Sequence, residues 1–500
     1  MRSSRPAALV LAAALAASCG ARIADPLASP PVVTDRQPRI RALQRDLATV
    51  FADPTLQRGL AAAAVQSLDR GDTLFRYNAE RLLLPASTLK LVTVAAAAEV
   101  LGWDYRFTTT IAATGPIENG VLLGDLVVTG EGDPTIGRRY GNHETVLGQW
   151  ADLLARAGLR RVDGRLVGDD RAFDGEPWGA GWSWEDLQYA YGAAVDALHL
   201  SEGTQPLVIV PGLEPGQPAS VTLSEPPALC VQADVLTVER GAAPSIGFRR
   251  VPGARVLEVT GRIAADALPL VLYPSVANPT EQFVDALARA LEARGITVGS
   301  GTADLDDLDA PPVPLSPPLL EHRSPPLSVM AGVTLRESHN LHAESLLRAI
   351  ARTEDPLATP QAGLRIVSGV LGSWGVPEGA VAAADGSGLS RRNYVAADAL
   401  LAVLRRMGTD DRHRAPWMAA LPLGGSEGTL ASRFTSAPSR GQVRAKTGSL
   451  SYVRALAGYV RTLDEETLAF VIILNNAGAA RGELEAIIDR AVDRLAAFAR

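Results

Sequence analysis

The sequence predicts an α+β protein in which one domain is interrupted by a long, mostly β insertion. Helical and strand patterns alternate near both ends of the chain, and the C-terminal part has three strand-like runs followed by a helix. Between Asp104 and Asp309, short strand-like runs instead alternate with Gly and Pro turns. The length of 500 residues exceeds what one hydrophobic core usually supports, so we expect two or three domains.

The N-terminus predicts a secretory signal over residues 1–23. Two arginines precede an apolar run from Ala7 to Ala17, which is too short to span a membrane. We therefore expect export to the periplasm or cell envelope. Cys19 follows the run as in a bacterial lipoprotein signal, although Ala16 stands where leucine is usual. Lipidation of Cys19 and ordinary cleavage both stay open, and a lipid anchor is the only membrane attachment we expect.

The first part of the mature chain predicts a helix, two strands and a second helix. Arg39–Ala52 has helical periodicity, and the segment after it contains two strand-like runs around the turn "DRGD". A loop with Pro85 leads to a helix that opens at Ser87 and stays apolar until Gly102.

The insertion and the last part follow different patterns. Runs such as "GVLLGDLVVTG", "GRLVGDD", "QPLVIVPG" and "ARVLEVTGRI" predict short strands, and the Pro-rich segment Ala310–Leu327 predicts a connector. After it, "ESHNLHAESLLRAIART" predicts a helix. The turn "DEE" between the last two strand-like runs predicts an antiparallel hairpin, and "GELEAIIDRAVDRLAAFAR" a final helix.

The composition excludes some functions and highlights two residues. Charges of both signs are interspersed at a net charge of -7, so we expect no nucleic-acid partner. With Cys230 the only cysteine besides Cys19, no disulfide framework is expected, and Cys230 is predicted to be a small buried residue. Of the 48 basic residues only Lys90 and Lys446 are lysine.

Lys90 lies in the pattern S-x-x-K with Ser87, which places both side chains on one helix face. A serine hydroxyl needs a base to become a nucleophile, and lysine can be that base if burial and nearby positive charge lower its pKa. Arginine stays protonated and cannot take this role. An isolated S-x-x-K is nevertheless common by chance, as a capping serine beside an exposed lysine.

Two further motifs lie later in the chain. "SHN" brings Ser338 and Asn340 to the start of a helix, where a hydroxyl can relay a proton and an amide can orient a lysine. "KTGS" begins at Lys446 inside a predicted strand, where Gly448 would let a substrate backbone approach. Arginine could in principle replace lysine as a point charge at 446 but not as the base at 90.

Two other interpretations of local motifs were weighed. "GGSEG", Gly424–Gly428, matches the nucleophile elbow G-x-S-x-G, but no clear strand precedes it. His339, His342 and Glu344 suggest a metal site, but no third ligand group at suitable spacing is evident, so structural or surface histidines are expected. No metal and no cofactor are expected.

S-x-x-K, S-x-N and K-T-G in this order are shared by penicillin-binding proteins and serine β-lactamases. The 251 residues from Ser87 to Ser338 exceed the interval in a compact β-lactamase. The chain resembles the low-molecular-mass class C penicillin-binding proteins, the D-alanyl-D-alanine carboxypeptidase/endopeptidase family. Four longer segments are also similar to that family: Gly130–Gly137, Gly181–Leu198, Asp385–Asn393 and Gly424–Phe434.

The resemblance implies a penicillin-binding-protein/β-lactamase-like transpeptidase domain, an antiparallel sheet flanked by helices. Its two parts would be residues 24–107 and 316–500, with an inserted domain over 108–315 and a nested domain over about 141–217. It also implies a serine DD-peptidase whose partners are peptidoglycan stem peptides, with β-lactam antibiotics as inhibitors. The alternatives on this fold are a β-lactamase or esterase, and a catalytically weak cell-wall binding protein.

The resemblance further implies roles for individual residues. Ser87 would be the nucleophile and Lys90 its base, and the backbone N–H groups of Ser87 and Ser449 would form an oxyanion hole. The remaining members are Ser338 and Asn340 as the second element, Lys446, Thr447 and Gly448 at the carboxylate end, and Arg391 near the substrate side chain. His339 departs from the aspartate most often found between the serine and the asparagine.

Overall fold

The computed structural model describes residues 37–224, 228–315 and 317–500. The predicted signal and Cys19 lie outside these ranges. The first part of the described chain contains α1 (Gln37–Phe51), β1 (Leu60–Ser67), β2 (Thr73–Tyr77), β3 (Leu82–Leu83) and α2 (Lys90–Val100). The predicted first helix and the hairpin around "DRGD" are confirmed, since β1 and β2 pair antiparallel.

The inserted part is built from fourteen described strands and two helices. In chain order these are β4 (Thr108–Ala113), β5 (Ile117–Glu118), β6 (Val121–Leu122), β7 (Leu126–Gly130), α3 (His143–Arg156), β8 (Arg161–Val162), β9 (Leu166–Asp169), β10 (Leu207–Val210), β11 (Ser220–Leu223), β12 (Cys230–Val238), β13 (Ser245–Arg250), β14 (Val256–Ala264), β15 (Leu270–Leu272), α4 (Pro279–Glu292), β16 (Thr297–Val298) and β17 (Thr302–Asp304). The strands predicted from "GRLVGDD", "QPLVIVPG" and "ARVLEVTGRI" are confirmed as β9, β10 and β14, and the run "GVLLGDLVVTG" contains two strands, β6 and β7.

The last part returns to the first domain. It contains β18 (Leu320–Arg323), α5 (Leu327–Arg336), α6 (Asn340–Ala351), α7 (Pro360–Ser373), β19 (Val381–Ala382), β20 (Tyr394–Ala396), α8 (Ala397–Thr409), α9 (Asp411–Ala420), β21 (Val443–Leu450), β22 (Val453–Arg461), β23 (Thr467–Asn475) and α10 (Arg481–Ala496). The predicted C-terminal strands, antiparallel hairpin and helix are confirmed.

A five-stranded antiparallel sheet joins the two ends of the chain, in the order β2-β1-β23-β22-β21. Its two faces are both apolar, because alternate residues of the central strands enter different cores. One face packs against α1 and α10, and the other against α2, α5, α6 and α8. The K-T-G strand β21 is therefore held at the sheet edge next to α2, which places the second lysine near the first.

The described residues of the inserted part contain two large apolar cores and a small cluster of Val127, Val167 and Leu305. The first gathers β4, β7 and β9 with α3 and α4, and includes Trp150 and Phe283. The second lies within β10–β15 and includes Leu207, Val235 and Leu257. The nested unit therefore differs from the expected range of about 141–217: α3 joins the first core, and the small unit with its own core spans β10–β15. In the first core, β9 pairs with β17 across the whole of the small unit, so periodicity alone could not separate the two.

The prediction that Cys230 is buried is wrong, because its thiol is exposed. Cys230 starts β12, an edge strand that pairs in its sheet with β14, and the burial pattern of β12 is mostly exposed. An edge strand of a small sheet has too little packing to cover both of its faces. Within the described residues, no helix is both long and apolar enough to cross a bilayer.

Candidate active site

Ser87 lies in a 3₁₀ turn, Ala86–Leu89, that runs directly into α2. The backbone of Ala86 is left-handed (φ 48°), a conformation that a non-glycine residue adopts only under strain. Two glycines enclose this turn. A Cβ at Gly388 would lie 2.0 Å from the Ala86 carbonyl oxygen, and one at Gly448 would lie 2.6 Å from that of Pro85. Gly448 thus admits the turn that carries Ser87, and its contact with a substrate backbone stays a prediction.

Lys90 is fully buried and makes three hydrogen bonds through Nζ. Its partners are the Asn340 Oδ1 at 2.6 Å, the Ser387 carbonyl oxygen at 2.6 Å and the Ser87 Oγ at 3.0 Å. Burial lowers the pKa of Lys90 to about 7, against the opposing negative charges of Asp385 and Glu344. A lysine with such a pKa is partly neutral near neutral pH.

The three partners of Lys90 determine where its lone pair points. A neutral amine has two N–H donors and one lone pair. The Ser387 carbonyl can only accept, and the Asn340 amide is fixed with Oδ1 toward Lys90 because its Nδ2 donates to the Tyr191 carbonyl at 2.7 Å. Both N–H donors are therefore used there, and the lone pair is left for the Ser87 hydroxyl. This arrangement can remove a proton from Ser87.

Lys446 contacts the other motif serine. Its Nζ donates to the Ser338 Oγ at 2.8 Å and to the Thr447 carbonyl oxygen at 2.7 Å, and the side chain is fully buried. Burial, and then the positive charge of Lys90, hold the pKa of Lys446 well below its usual range. Lys446 is therefore not a solvated lysine at a strand end.

A cavity of about 350 Å³ opens above these side chains. It is lined by three motif residues, Ser87, Ser338 and Asn340, and by Ser449 of the K-T-G strand. Charged residues at its rim come from two parts of the chain: Asp186 from the insertion and Arg391 from the last part. A neighbouring space of about 250 Å³ shares Ser87, Ser338 and Ser449 and adds the following residues: Thr429, Ser432, Arg433, Thr447, Arg481 and Glu485. Six of the nine predicted catalytic and substrate-binding residues line these two spaces, Lys90 and Lys446 are hydrogen-bonded to the lining serines, and Gly448 packs against the turn that carries Ser87.

Two buried carboxyl groups lie behind Lys90, and sequence reasoning did not assign them a role. Glu344 accepts hydrogen bonds from the Gly386 and Ser387 amides at 2.8–3.1 Å. Burial, and then the charge of Asp385, raise the pKa of Glu344 to about 7. Glu344 was weighed only as a metal ligand, and Asp385 only as part of a similar segment, since neither pattern shows what a side chain faces after folding.

The histidines near the S-x-N motif form a hydrogen-bonded chain with the insertion. The Tyr140 hydroxyl lies 3.1 Å from His342 Nε2, His342 Nδ1 lies 2.9 Å from His339 Nδ1, and His339 Nε2 lies 3.1 Å from Glu202. Glu202 is also paired with Arg139. Two neutral rings can satisfy this whole chain, with Tyr140 donating at one end and Glu202 accepting at the other.

Glu202 supplies the third group that the sequence did not reveal beside His339 and His342. All three side chains are engaged with one another and with Arg139 and Tyr140. A second acidic group, Asp170, Asp304 and Asp306, lies in the insertion.

The competing motif has a different environment. Ser426 of "GGSEG" donates to the Leu423 carbonyl at 3.4 Å. The residues before it form an isolated bridge and a turn, whereas a nucleophile elbow follows a buried strand.

With the geometry established, the chain can be compared with known proteins. The model of the D-Ala-D-Ala carboxypeptidase 3 (S13) family matches residues 43–497. The chain belongs to this family. The predicted family is thereby confirmed, and so is the predicted enzyme class, a D-alanyl-D-alanine carboxypeptidase of the serine hydrolase type.

Curated relatives match this chain over most of its length. A D-alanyl-D-alanine carboxypeptidase of Actinomadura sp. is 34% identical over 491 residues, covering 94% of this chain and 88% of that protein. D-alanyl-D-alanine carboxypeptidase DacB of Haemophilus influenzae is 30% identical over 435 residues, covering 85% and 87%. The crystal structure of penicillin binding protein 4 from H. influenzae matches with a TM-score of 0.78 at 27% identity, covering 90% of this chain and 98% of that one. The predicted penicillin-binding-protein/β-lactamase-like fold is confirmed.

Proposed function

We propose that this S13-family protein is a serine DD-peptidase that cleaves peptidoglycan stem peptides through an acyl-enzyme on Ser87. The observation that carries the proposal is the 3.0 Å contact between Ser87 Oγ and Lys90 Nζ, whose other two hydrogen bonds go to fixed acceptors. Few arrangements direct the lone pair of a buried amine at one hydroxyl. Membership of the D-Ala-D-Ala carboxypeptidase family supports the substrate class.

In acylation, a C–O bond to Ser87 replaces the C–N bond of the substrate. Lys90 takes the proton of Ser87, and Oγ attacks the carbonyl carbon of the penultimate D-Ala. The backbone N–H groups of Ser87 and Ser449 are suited to stabilise the developing oxyanion, since both residues line the cavity. The C–N bond then breaks, and the amine of the terminal D-Ala leaves with a proton. Ser338, bonded to Lys446, is the group we assign to deliver that proton.

The acyl-enzyme is resolved by water in a carboxypeptidase or endopeptidase, and the proton balance is then restored by the reverse route. The terminal carboxylate of the substrate is assigned to the K-T-G strand, where the Thr447 hydroxyl lies 2.9 Å from that of Thr429 at the mouth of the second space. The substrate side chain is assigned to the cavity rim with Arg391.

A β-lactam would follow the same first step. Its carbonyl is attacked by Ser87, its ring C–N bond breaks, and the leaving nitrogen stays tethered to the acyl group. The penicillin binding protein 4 of H. influenzae has been solved in complex with a β-lactam, at 26% identity and a TM-score of 0.72 to this chain. We propose that penicillins acylate Ser87 and remain bound. Export through the signal at residues 1–23, with or without lipidation of Cys19, would bring the enzyme to its substrate.

Labelled penicillin tests the proposal directly. We expect the wild type and Ser426→Ala to be labelled with one equivalent, and Ser87→Ala and Lys90→Arg to remain unlabelled. Ser426→Ala is the matched control, because it removes the other candidate serine. An unlabelled wild type would refute the enzymatic proposal, and equal labelling of Ser87→Ala would show that another serine is the nucleophile. Rapid loss of the label would instead indicate a β-lactamase. Release of D-Ala from a peptide ending in D-Ala-D-Ala completes the test.

A further inference from the structure

Asp385 is a buried carboxylate surrounded by four hydrogen-bond donors. Its Oδ1 accepts from the Gly388 amide and from Asn393 Nδ2, both at 2.8 Å. Its Oδ2 accepts from the Ser390 amide at 2.7 Å and from Trp182 Nε1 at 2.9 Å. The residue is 1% exposed. Three of these donors come from its own loop, and the fourth comes from the insertion.

One peptide group connects Asp385 to the base. The N–H of the Ser387–Gly388 peptide donates to Asp385, and the carbonyl of the same peptide accepts from Lys90 Nζ at 2.6 Å. A carboxylate that accepts from an amide N–H polarises the amide and makes its oxygen a stronger acceptor. Asp385 therefore acts on Lys90 through a single amide, without touching it.

Glu344 has a parallel position with a different target. It accepts from the N–H of the preceding peptide, Gly386–Ser387, at 2.8 Å. The carbonyl of that peptide accepts from the Thr93 hydroxyl at 2.6 Å, and not from Lys90. Both carboxyl groups are buried and accept hydrogen bonds from the loop that contacts Lys90. Only Asp385 is bonded to the same peptide group as Lys90.

We propose that Asp385 is a positioning residue for the general base, and that through the Ser387–Gly388 peptide it holds Lys90 with its lone pair directed at Ser87. This inference rests on the proposed acylation of Ser87. Asp385 does not touch the reacting atoms, so it is not a catalytic residue in its own right. The Trp182 hydrogen bond extends the same path to the inserted domain.

The arrangement has a consequence for the pH dependence of acylation. The charged or titratable groups that act on Lys90 are Asp385 and Glu344 behind it and Lys446 from β21. The Lys90 ammonium that forms when Ser87 loses its proton is stabilised by the polarised carbonyl. Removing the Asp385 charge disfavours that ammonium and lowers the pKa of Lys90. The acid limb of the pH–rate profile, in which the acylation rate rises with pH, should therefore move to lower pH. A purely structural defect would lower the rate at every pH and leave the limb in place.

The experiment measures the second-order rate of penicillin acylation against pH. We compare the wild type with Asp385→Asn, and count active sites by the final amount of bound label so that only folded molecules enter the rate. We expect Asp385→Asn to be slower by roughly tenfold or more at the plateau, because one charged hydrogen bond to the loop is lost. We expect its acid limb at lower pH than that of the wild type.

Trp182→Phe is the second variant, and we expect it to move the acid limb in the opposite direction. It removes one of four donors to Asp385 and leaves the Ser387–Gly388 peptide intact, so the carboxylate charge acts more strongly on Lys90. The acid limb should move to higher pH, and this holds even if Asp385→Asn fails to fold. Glu344→Gln should slow acylation less than Asp385→Asn does at the plateau.

The outcomes separate the two proposals. A labelled wild type together with unmoved acid limbs in the folded variants would overturn the positioning role alone. A wild type that takes no label would overturn the proposed function first. Opposite shifts in Asp385→Asn and Trp182→Phe, or the shift in Trp182→Phe alone if Asp385→Asn does not fold, would support the positioning role.

Discussion

Lys446 Nζ lies 2.8 Å from Ser338 Oγ, and the lysine side chain is fully buried. Each of the two lysines of this chain is therefore hydrogen-bonded to a motif serine, Lys90 to Ser87 and Lys446 to Ser338. Their pKa values are both lowered by burial, and the charge of Lys90 lowers that of Lys446 further. Two buried ammonium groups close together repel each other. This favours a state in which only one of the two lysines is protonated.

The burial of Lys446 changes what is expected of Lys446→Arg. From the sequence, an arginine at this position could still have offered a charge to a substrate carboxylate. In the structure its longer, permanently charged side chain has to fit a space that Ser338 and Thr447 close. We expect acylation by labelled penicillin to fall by about 100-fold or more, close to the loss in Lys446→Ala. Retention of most of the wild-type rate would contradict the assigned contact with Ser338.

The pH dependence of acylation follows from Lys90. Its pKa is lowered to about 7 by burial, against the opposing charges of Asp385 and Glu344. Only the neutral amine can accept the proton of Ser87, so the rate should be low below this pKa, rise through it and level off above it. Rates of labelling between about pH 5 and about pH 9 at constant ionic strength test this. A rate that still rises steeply at the top of this range, as expected for a lysine with the ordinary value of 10.5, would contradict the lowered pKa of Lys90.

Gly388 should be needed for the nucleophile turn. It has φ 83°, and a Cβ would lie 2.0 Å from the Ala86 carbonyl oxygen. Gly388→Ala should therefore displace Ser87, lower Tm and reduce acylation by about 100-fold or more. Gly379→Ala is a matched control, because Gly379 also has a positive φ (78°) but has open space around its Cα. That variant should lose only about 1 kcal/mol of stability and keep its acylation rate. Equal effects of the two variants would exclude the contact with Ala86 as the cause.

Arg391 should affect peptide substrates more than penicillin. Its exposed guanidinium lies at the cavity rim and donates to the Ser451 carbonyl at 3.2 Å, away from the bonds that Lys90 makes. We expect Arg391→Ala to lower kcat/KM for stem peptides with an anionic side chain by roughly tenfold and to change penicillin acylation by less than about threefold. Arg391→Lys should recover part of the loss. A parallel fall in both activities would place Arg391 in the catalytic machinery instead.

The sequence was sufficient to select motif residues that the structure brings together, because each motif is local. Ser87 and Lys90 are three residues apart, and the K-T-G strand is continuous. Strand and helix periodicity likewise predicted α1, the first hairpin and the C-terminal strands. Contacts between distant segments could not be predicted from the sequence. Asp385 and Lys90 are hydrogen-bonded to the same peptide group, and Glu202 contacts His339, which lies 137 residues later in the chain. The partition of the inserted cores failed for the same reason.

Glu202 illustrates what such a distant contact can do. The insertion holds the S-x-N motif at three successive points. Arg139 pairs with Glu337, Glu202 contacts His339 at 3.1 Å, and the Tyr191 carbonyl accepts from Asn340 at 2.7 Å. Between them, Ser338 has a left-handed backbone (φ 63°), which a serine adopts only when its neighbours are fixed.

Glu202→Gln should therefore loosen the S-x-N motif without touching the catalytic atoms. The variant keeps the volume but removes the charge that faces Arg139 and His339, which leaves the half-buried Arg139 guanidinium less compensated. We expect a lower Tm and a roughly tenfold slower acylation, with the acid limb unmoved because Lys90 keeps its neighbours. Glu214→Gln, on an exposed turn of the same insertion, is the control and should match the wild type in both measurements. If Glu202→Gln acylates at the wild-type rate despite a lower Tm, the insertion stabilises the fold but does not set the position of Ser338 and Asn340.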